Sequence, residues 1–178
     1  MLAPMTDAAK NALPPLVVNV ADAEEHEHYD GEHWGHAYKI LTPGMRPRGA
    51  LLGVNQTRLP PGRAAGPFHS HMLEDEVFFV LSGRGILRYG DQLSEIGPGD
   101  CISCPAGAEV AHQIANPYDT DLVYLAIGNH EPNEVAFFPD TGKVSIRSKK
   151  KIGRFQPTDY MAGEPDRPRI FELHDDRE

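Results

Sequence analysis

Four side chains in this 178-residue chain have the types and spacing to hold a metal ion: His69, His71, Glu76 and His112. His69 and His71 stand two residues apart, so on a β-strand both imidazoles project from one face. Glu76 opens the run Glu76-Val77-Phe78-Phe79-Val80-Leu81, and hairpin pairing can lay its carboxylate beside the two rings. His112 is distant in sequence, yet a strand from Val110 would return it to the same interior. Three imidazoles and a carboxylate, with room for water, suit one divalent ion of Zn, Fe, Mn, Ni or Co. Asp75 rivals Glu76 for the carboxylate position. Glu74 or Asp75 could also orient a ligand imidazole, as metal-bound histidine usually requires.

The surrounding text reads as short strands. Runs at Ala37–Leu41, Ala50–Leu59, Pro67–His71, Glu76–Ser82, Gly85–Tyr89, Gln92–Ile96, Asp100–Cys104, Val110–Asn116 and Asp121–Ile127 are separated by turn residues such as Pro60-Pro61-Gly62, Gly90-Asp91 and Gly97-Pro98-Gly99. Val135–Phe138 and Lys143–Ile146 continue the pattern. No helical period appears between the runs, which predicts an all-β sandwich or barrel. The expected organisation is an arm over 1–34, a β-barrel domain over 35–147 and a Pro-rich extension over 148–178. Leu16-Val17-Val18 could pair as a strand within the arm. Tyr160 to Glu178 is open between a returning strand, a cover for a partner subunit and a loose tail.

The two histidine segments resemble the paired signature motifs of the cupin superfamily. His69, His71, four residues, Glu76, six residues and Gly83 match the first motif, with a leading spacer from Gly62 of six residues rather than five. Gly99, Pro105, Gly107, His112 and Asn116 match the second, with four residues before His112 rather than two. The resemblance spans about Leu51 to Gly128. It implies a jelly-roll barrel, a metal at its open end and a homodimer. The stretches His69–Gly83 and Asn129–Asp140 look most like the small stand-alone cupins labelled sugar-phosphate-isomerase-like. The expected function is then a metal-dependent enzyme acting on a small polar metabolite such as a sugar or sugar phosphate. An Fe(II)-dependent dioxygenase and a non-catalytic small-molecule-binding protein are the alternatives, since fold does not fix function.

Other features read more plainly. Lysine and arginine number 17 against 26 acidic residues, a formal charge of −9. That balance disfavours nucleic acid and anionic membranes as partners. Lys149-Lys150-Lys151 reads as a solvated turn. The absence of an apolar run near 18 residues argues against a membrane span. Met1–Lys10 lacks the pattern of a secretory signal, and two cysteines make no disulfide framework, so a cytoplasmic location is expected. Cys101 and Cys104 sit at an odd spacing, which sends them to opposite faces as ordinary packed thiols. His26, His28, His33 and His36 read as a solvated loop or dimer contact rather than a second metal site. Phe78 to Leu81 would fill both faces of a strand buried between sheets or at a subunit contact. Arg63, just before the first motif, is the candidate for meeting an anionic substrate at the barrel mouth.

Overall fold

The structure is a computed structural model and describes residues 14–177. The leader reading of Met1–Lys10 and the first 13 residues of the arm lie outside them.

Among the described residues fourteen strands carry the fold, and their order follows the turn chemistry of the sequence. They are β1 (Glu25–Asp30), β2 (Trp34–Ile40), β3 (Leu52–Leu59), β4 (Arg63–Ala64), β5 (Ser70–His71), β6 (Glu76–Ser82) and β7 (Gly85–Tyr89). There follow β8 (Gln92–Ile96), β9 (Cys101–Cys104), β10 (His112–Asn116), β11 (Leu122–Asn129), β12 (Val135–Phe138), β13 (Lys143–Ile146) and β14 (Lys151–Arg154). The larger sheet runs β8-β7-β10-β4-β2-β3-β11-β6-β9 with β1 added on β2, and the smaller runs β14-β13-β12-β5. An isolated bridge between His69 and His112 ties the two together. The result is the curled, all-β jelly roll expected.

Side-chain alternation decides which face of each strand is buried. In β10, His112, Ile114 and Asn116 point inward. In β6, Phe78 and Val80 join Leu59, Ile96, Ile102, Cys104, Ile114, Leu122 and Tyr124 in one core. Of the two readings of β6, burial between sheets is corrected, since Phe79 is 37% and Leu81 40% exposed in the single chain, which leaves the reading as a subunit contact. Asn116 holds the turn before β11, its amide donating to the Leu59 and Thr120 carbonyls at 2.8 Å each. Gly83 has a structural reason as well. It sits at φ 77°, and a Cβ there would lie 2.1 Å from the Asp121 carbonyl oxygen.

Three segments differ from expectation. The His-rich stretch expected as a loop is β1, paired antiparallel with β2 from Glu25↔Lys39 to Asp30↔Trp34. Its exposed, charged text shows no apolar alternation, so backbone pairing and the Arg58–Glu25 ion pair at 2.6 Å hold it. Leu16-Val17-Val18 forms no strand. The C-terminal extension contributes β14 to the smaller sheet and then a short helix, α1 (Arg169–Asp175), rather than a returning strand. The sheets therefore extend past both ends of the 35–147 span. Among the described residues no helix is long and apolar enough to cross a membrane.

Cys101 is exposed and Cys104 buried, on opposite faces of β9 as the odd spacing required. Burial, with Glu76 nearby, pushes the Cys104 thiol up to about 12. A maleimide at pH 7.5 is therefore expected to label one thiol per native chain and two in denaturant. Rapid labelling of both in the native protein would contradict this packing.

Candidate metal centre

β5 and the residue before it set His69 and His71 on one face, with Ser70 buried between them on the other. The bridge to β10 is made by two backbone hydrogen bonds, from the His69 amide to the His112 carbonyl at 3.1 Å and back at 2.8 Å. This brings the third imidazole beside the first. Glu76 starts β6 between Gly128 of β11 and Cys104 of β9. Three strands, β5 with the residue before it, β6 and β10, thus converge, and one ligand atom from each of the four residues lies within 4.8 Å of the others.

The ring contacts follow from this. His69 lies 4.7 Å, centroid to centroid, from both His71 and His112. Nε2 of His112 is 2.9 Å and Nε2 of His71 is 3.2 Å from the same oxygen, Oε2 of Glu76. Despite this proximity all three atoms are buried without a well-formed hydrogen bond. Buried polar atoms left in that state are costly. Lone pairs crowding on one point are what a cation would satisfy, so the donor set fits a divalent metal.

The tautomers agree with that fit. Nδ1 of His69 donates to the Pro67 carbonyl at 2.7 Å, which leaves the Nε2 lone pair available. Nδ1 of His71 lies 3.3 Å from Glu134 Oε1 and 3.6 Å from Glu74 Oε2. Burial, aided by the neighbouring His112 and His71, pushes the His69 imidazole down to about 4. Burial also acts downward on His71, but the carboxylates of Glu76, Glu134 and Glu74 outweigh it and raise it. Burial would raise Glu76, and the His112 and His71 rings outweigh it, holding the carboxyl well below its usual range.

A hollow of about 210 Å³ opens from the cluster into the barrel, lined by His69, Glu76 and His112 with Thr57, Tyr124 and His36. The phenol of Tyr124 is raised by burial and stays protonated. Nδ1 of His36 donates to the Ala65 carbonyl at 3.0 Å, which fixes a lone pair on Nε2. Burial lowers the pKa of this ring, the more so with His28 nearby.

The sequence candidates separate cleanly here. Glu76 joins the cluster, whereas Asp75 is exposed and accepts from the Ala106 amide at 2.8 Å. Glu74 is buried, but Arg147 holds both its oxygens, and the Glu131 amide donates to Oε1 at 2.6 Å. The nearer partner of His71 is Glu134, which sequence reasoning missed. Arg63 lies away from the cluster, its guanidinium donating to the Gly31 and Trp34 carbonyls at 3.1 and 2.7 Å and stacking over Tyr29. That work explains it as the clasp of the β1–β2 hairpin. Among the described residues, no metal-sized cluster includes His26, His28, His33 or His36. His36, read as part of the arm, instead faces the hollow beside the cluster.

Comparison with known proteins agrees with the fold. A family model described as a cupin domain matches residues 55–128. A sugar phosphate isomerase of the cupin superfamily from Silicibacter pomeroyi superposes with a TM-score of 0.67 at 26% identity, covering 83% of this chain and 98% of that one. A proposed sugar phosphate isomerase from Acidithiobacillus ferrooxidans superposes with a TM-score of 0.68 at 22% identity, covering 81% and 97%. The oxalate-binding protein of Thermotoga maritima is 34% identical over 70 residues, 39% of this chain. That match spans 55% of the relative, about half its length.

Proposed function

Given that the chain belongs to the cupin superfamily, we propose that His69, His71, Glu76 and His112 hold one divalent metal, and that the protein uses it to interconvert small carbonyl-bearing metabolites such as sugar phosphates. The observation carrying this reading is the crowding of three buried, unbonded ligand atoms at the edge of a hollow that also contains His36. When bound, the metal would supply Lewis-acid polarisation of a carbonyl or hydroxyl oxygen. The chain's own residues supply the rest. The Ala65 carbonyl holds the His36 tautomer, so Nε2 can take a proton from the hydroxyl-bearing carbon beside the carbonyl and return it to the former carbonyl carbon, while the hydroxyl proton passes to the former carbonyl oxygen. Burial keeps that ring unprotonated at neutral pH, as a base requires. Phe78 and Tyr124 wall the hollow and give it an apolar side.

Metal-loaded protein in D2O is expected to exchange deuterium into aldose or ketose phosphates next to the carbonyl, followed by NMR. His36→Gln should slow that exchange by roughly a hundred- to ten-thousandfold while metal content is unchanged. A second reading, ligand binding without turnover, is favoured by the similarity to the oxalate-binding relative. Tight ligand uptake with no exchange under any of the five metals would establish it in place of the first. Iron-dependent oxygen consumption with substrate would instead assign an oxygenase.

A further inference from the structure

We infer that Arg46 is the anion-holding residue of this pocket, so that its ligand is a small metabolite carrying a phosphate ester or carboxylate at the end away from the metal cluster. The inference rests on the reading that the cluster takes a metal. Two further hollows adjoin the one at the cluster. One, of about 190 Å³, is bounded by Glu76 and Asn55 on one side and by Arg46 and His130 on the other. The second, of about 530 Å³, is lined by Arg46, Asn55, His36 and Tyr38 and opens outward. Asn55 borders all three hollows and the one of about 190 Å³ touches both Glu76 and Arg46, and we read them together as a passage from solvent to the cluster. Among the described residues Arg46 is the one lysine or arginine lining that passage.

Its neighbours leave it available. The two carboxylates along the passage turn away from Arg46: Glu74 is held by Arg147 and the Glu131 amide, and Glu76 faces His71 and His112. Asn129 is committed to the Asp75 amide and the Leu73 carbonyl. Other arginines of the barrel are likewise occupied, Arg58 by Glu25, Arg84 by Glu95 and Arg88 by Asp140. No carboxylate among the described residues pairs with Arg46. The position is also built rather than loose. Arg46 begins a 3-10 turn, Arg46–Arg48, closed by the Gly49 amide on the Arg46 carbonyl at 2.9 Å. Arg48 pins the turn by donating to the Gly44 carbonyl at 2.7 Å, and Thr42 Oγ1 accepts from the Val54 amide at 2.8 Å. In a chain with a formal charge of −9, an exposed guanidinium on a braced turn, with no carboxylate partner among the described residues and beside a hollow that reaches Glu76, is a site for a planar or tetrahedral oxyanion. Asn55, which lines all three hollows, offers an amide to a hydroxyl of the same ligand.

The experiment compares glycolaldehyde phosphate, oxalate and neutral glycolaldehyde by calorimetry on the unaltered protein, Arg46→Gln and Arg46→Lys, each titrated with Zn2+ in parallel. Arg46→Gln is expected to weaken one or both anionic probes about thirtyfold, the loss of a charge-assisted pair, with glycolaldehyde and Zn2+ binding unchanged. Arg46→Lys should recover part of the loss, since it keeps the charge without the fork. Whichever anion loses more identifies the source, phosphate ester or carboxylate. Anion affinity unmoved by Arg46→Gln, or no anion bound by the unaltered protein, overturns the inference and leaves the metal reading standing. If no Zn2+ is taken up yet Arg46-dependent anion binding persists, the metal reading fails and the anion site remains.

Discussion

Protein purified with alanine at His112 is expected to carry no stoichiometric transition metal and to gain no thermal stability when Zn2+, Mn2+ or Fe2+ is added. The unaltered chain should do both. The magnitude follows from linkage: an ion present at a hundred times its dissociation constant adds about 2.7 kcal/mol, or roughly 5–10 °C in a domain of this size. His112 matters most because it serves two purposes. Its backbone makes both hydrogen bonds of the bridge to His69, and its Nε2 is the closest ligand atom to Glu76, at 2.9 Å. Alanine keeps the bridge and removes only the imidazole, so far-UV circular dichroism should be preserved. The affinity loss should exceed the ten- to hundredfold typical of a residue that merely supports a ligand. A variant that melts higher with metal by the same margin as the unaltered chain would remove His112 from the site.

The ligand cluster was legible because its logic is short in range. A period of two puts His69 and His71 together, and the same period separates Cys101 from Cys104. β6, β7 and β8 begin and end where their apolar runs and turn residues say they should. What could not be read depends on closure of the barrel. The choice between Glu76 and Asp75 was open in the sequence and is decided by β6 pairing at Gly128, which turns Glu76 inward. Arg63 and Arg46 both flank the apolar runs, and nothing local tells which reaches the opening. The path of the β2–β3 loop does that, while Arg63 is consumed by the hairpin. β1 was hidden because a strand exposed along almost its whole length needs no apolar alternation. His36 was hidden with it, since its role depends on β2 crossing the hollow.

Glu134 was the least legible of all, and it carries the second large expectation. It comes from the β11–β12 connection, 63 residues beyond His71, and is 2% exposed. Its two oxygens accept the Met72 and Leu73 amides at 2.8 Å each, and Oε1 also lies 3.3 Å from Nδ1 of His71. One carboxylate therefore fixes the β5–β6 loop and the His71 ring that precedes it. Glu134→Ala should leave both amides without their partner and destabilise the fold by about 3 kcal/mol, two charge-assisted hydrogen bonds at the low end of their range. Metal affinity should fall ten- to a hundredfold, because His71 loses the acceptor that holds its tautomer. Glu134→Gln separates the two effects. Its carbonyl oxygen can still accept from one amide, but the negative charge nearest Nδ1 of His71 is gone. Stability should recover in part while metal affinity stays depressed, with urea midpoints and Zn2+ titrations run on the same preparations. If Glu134→Gln binds metal as the unaltered chain does, the carboxylate braces the loop alone, and His71 takes its orientation from Glu74 across the longer 3.6 Å gap.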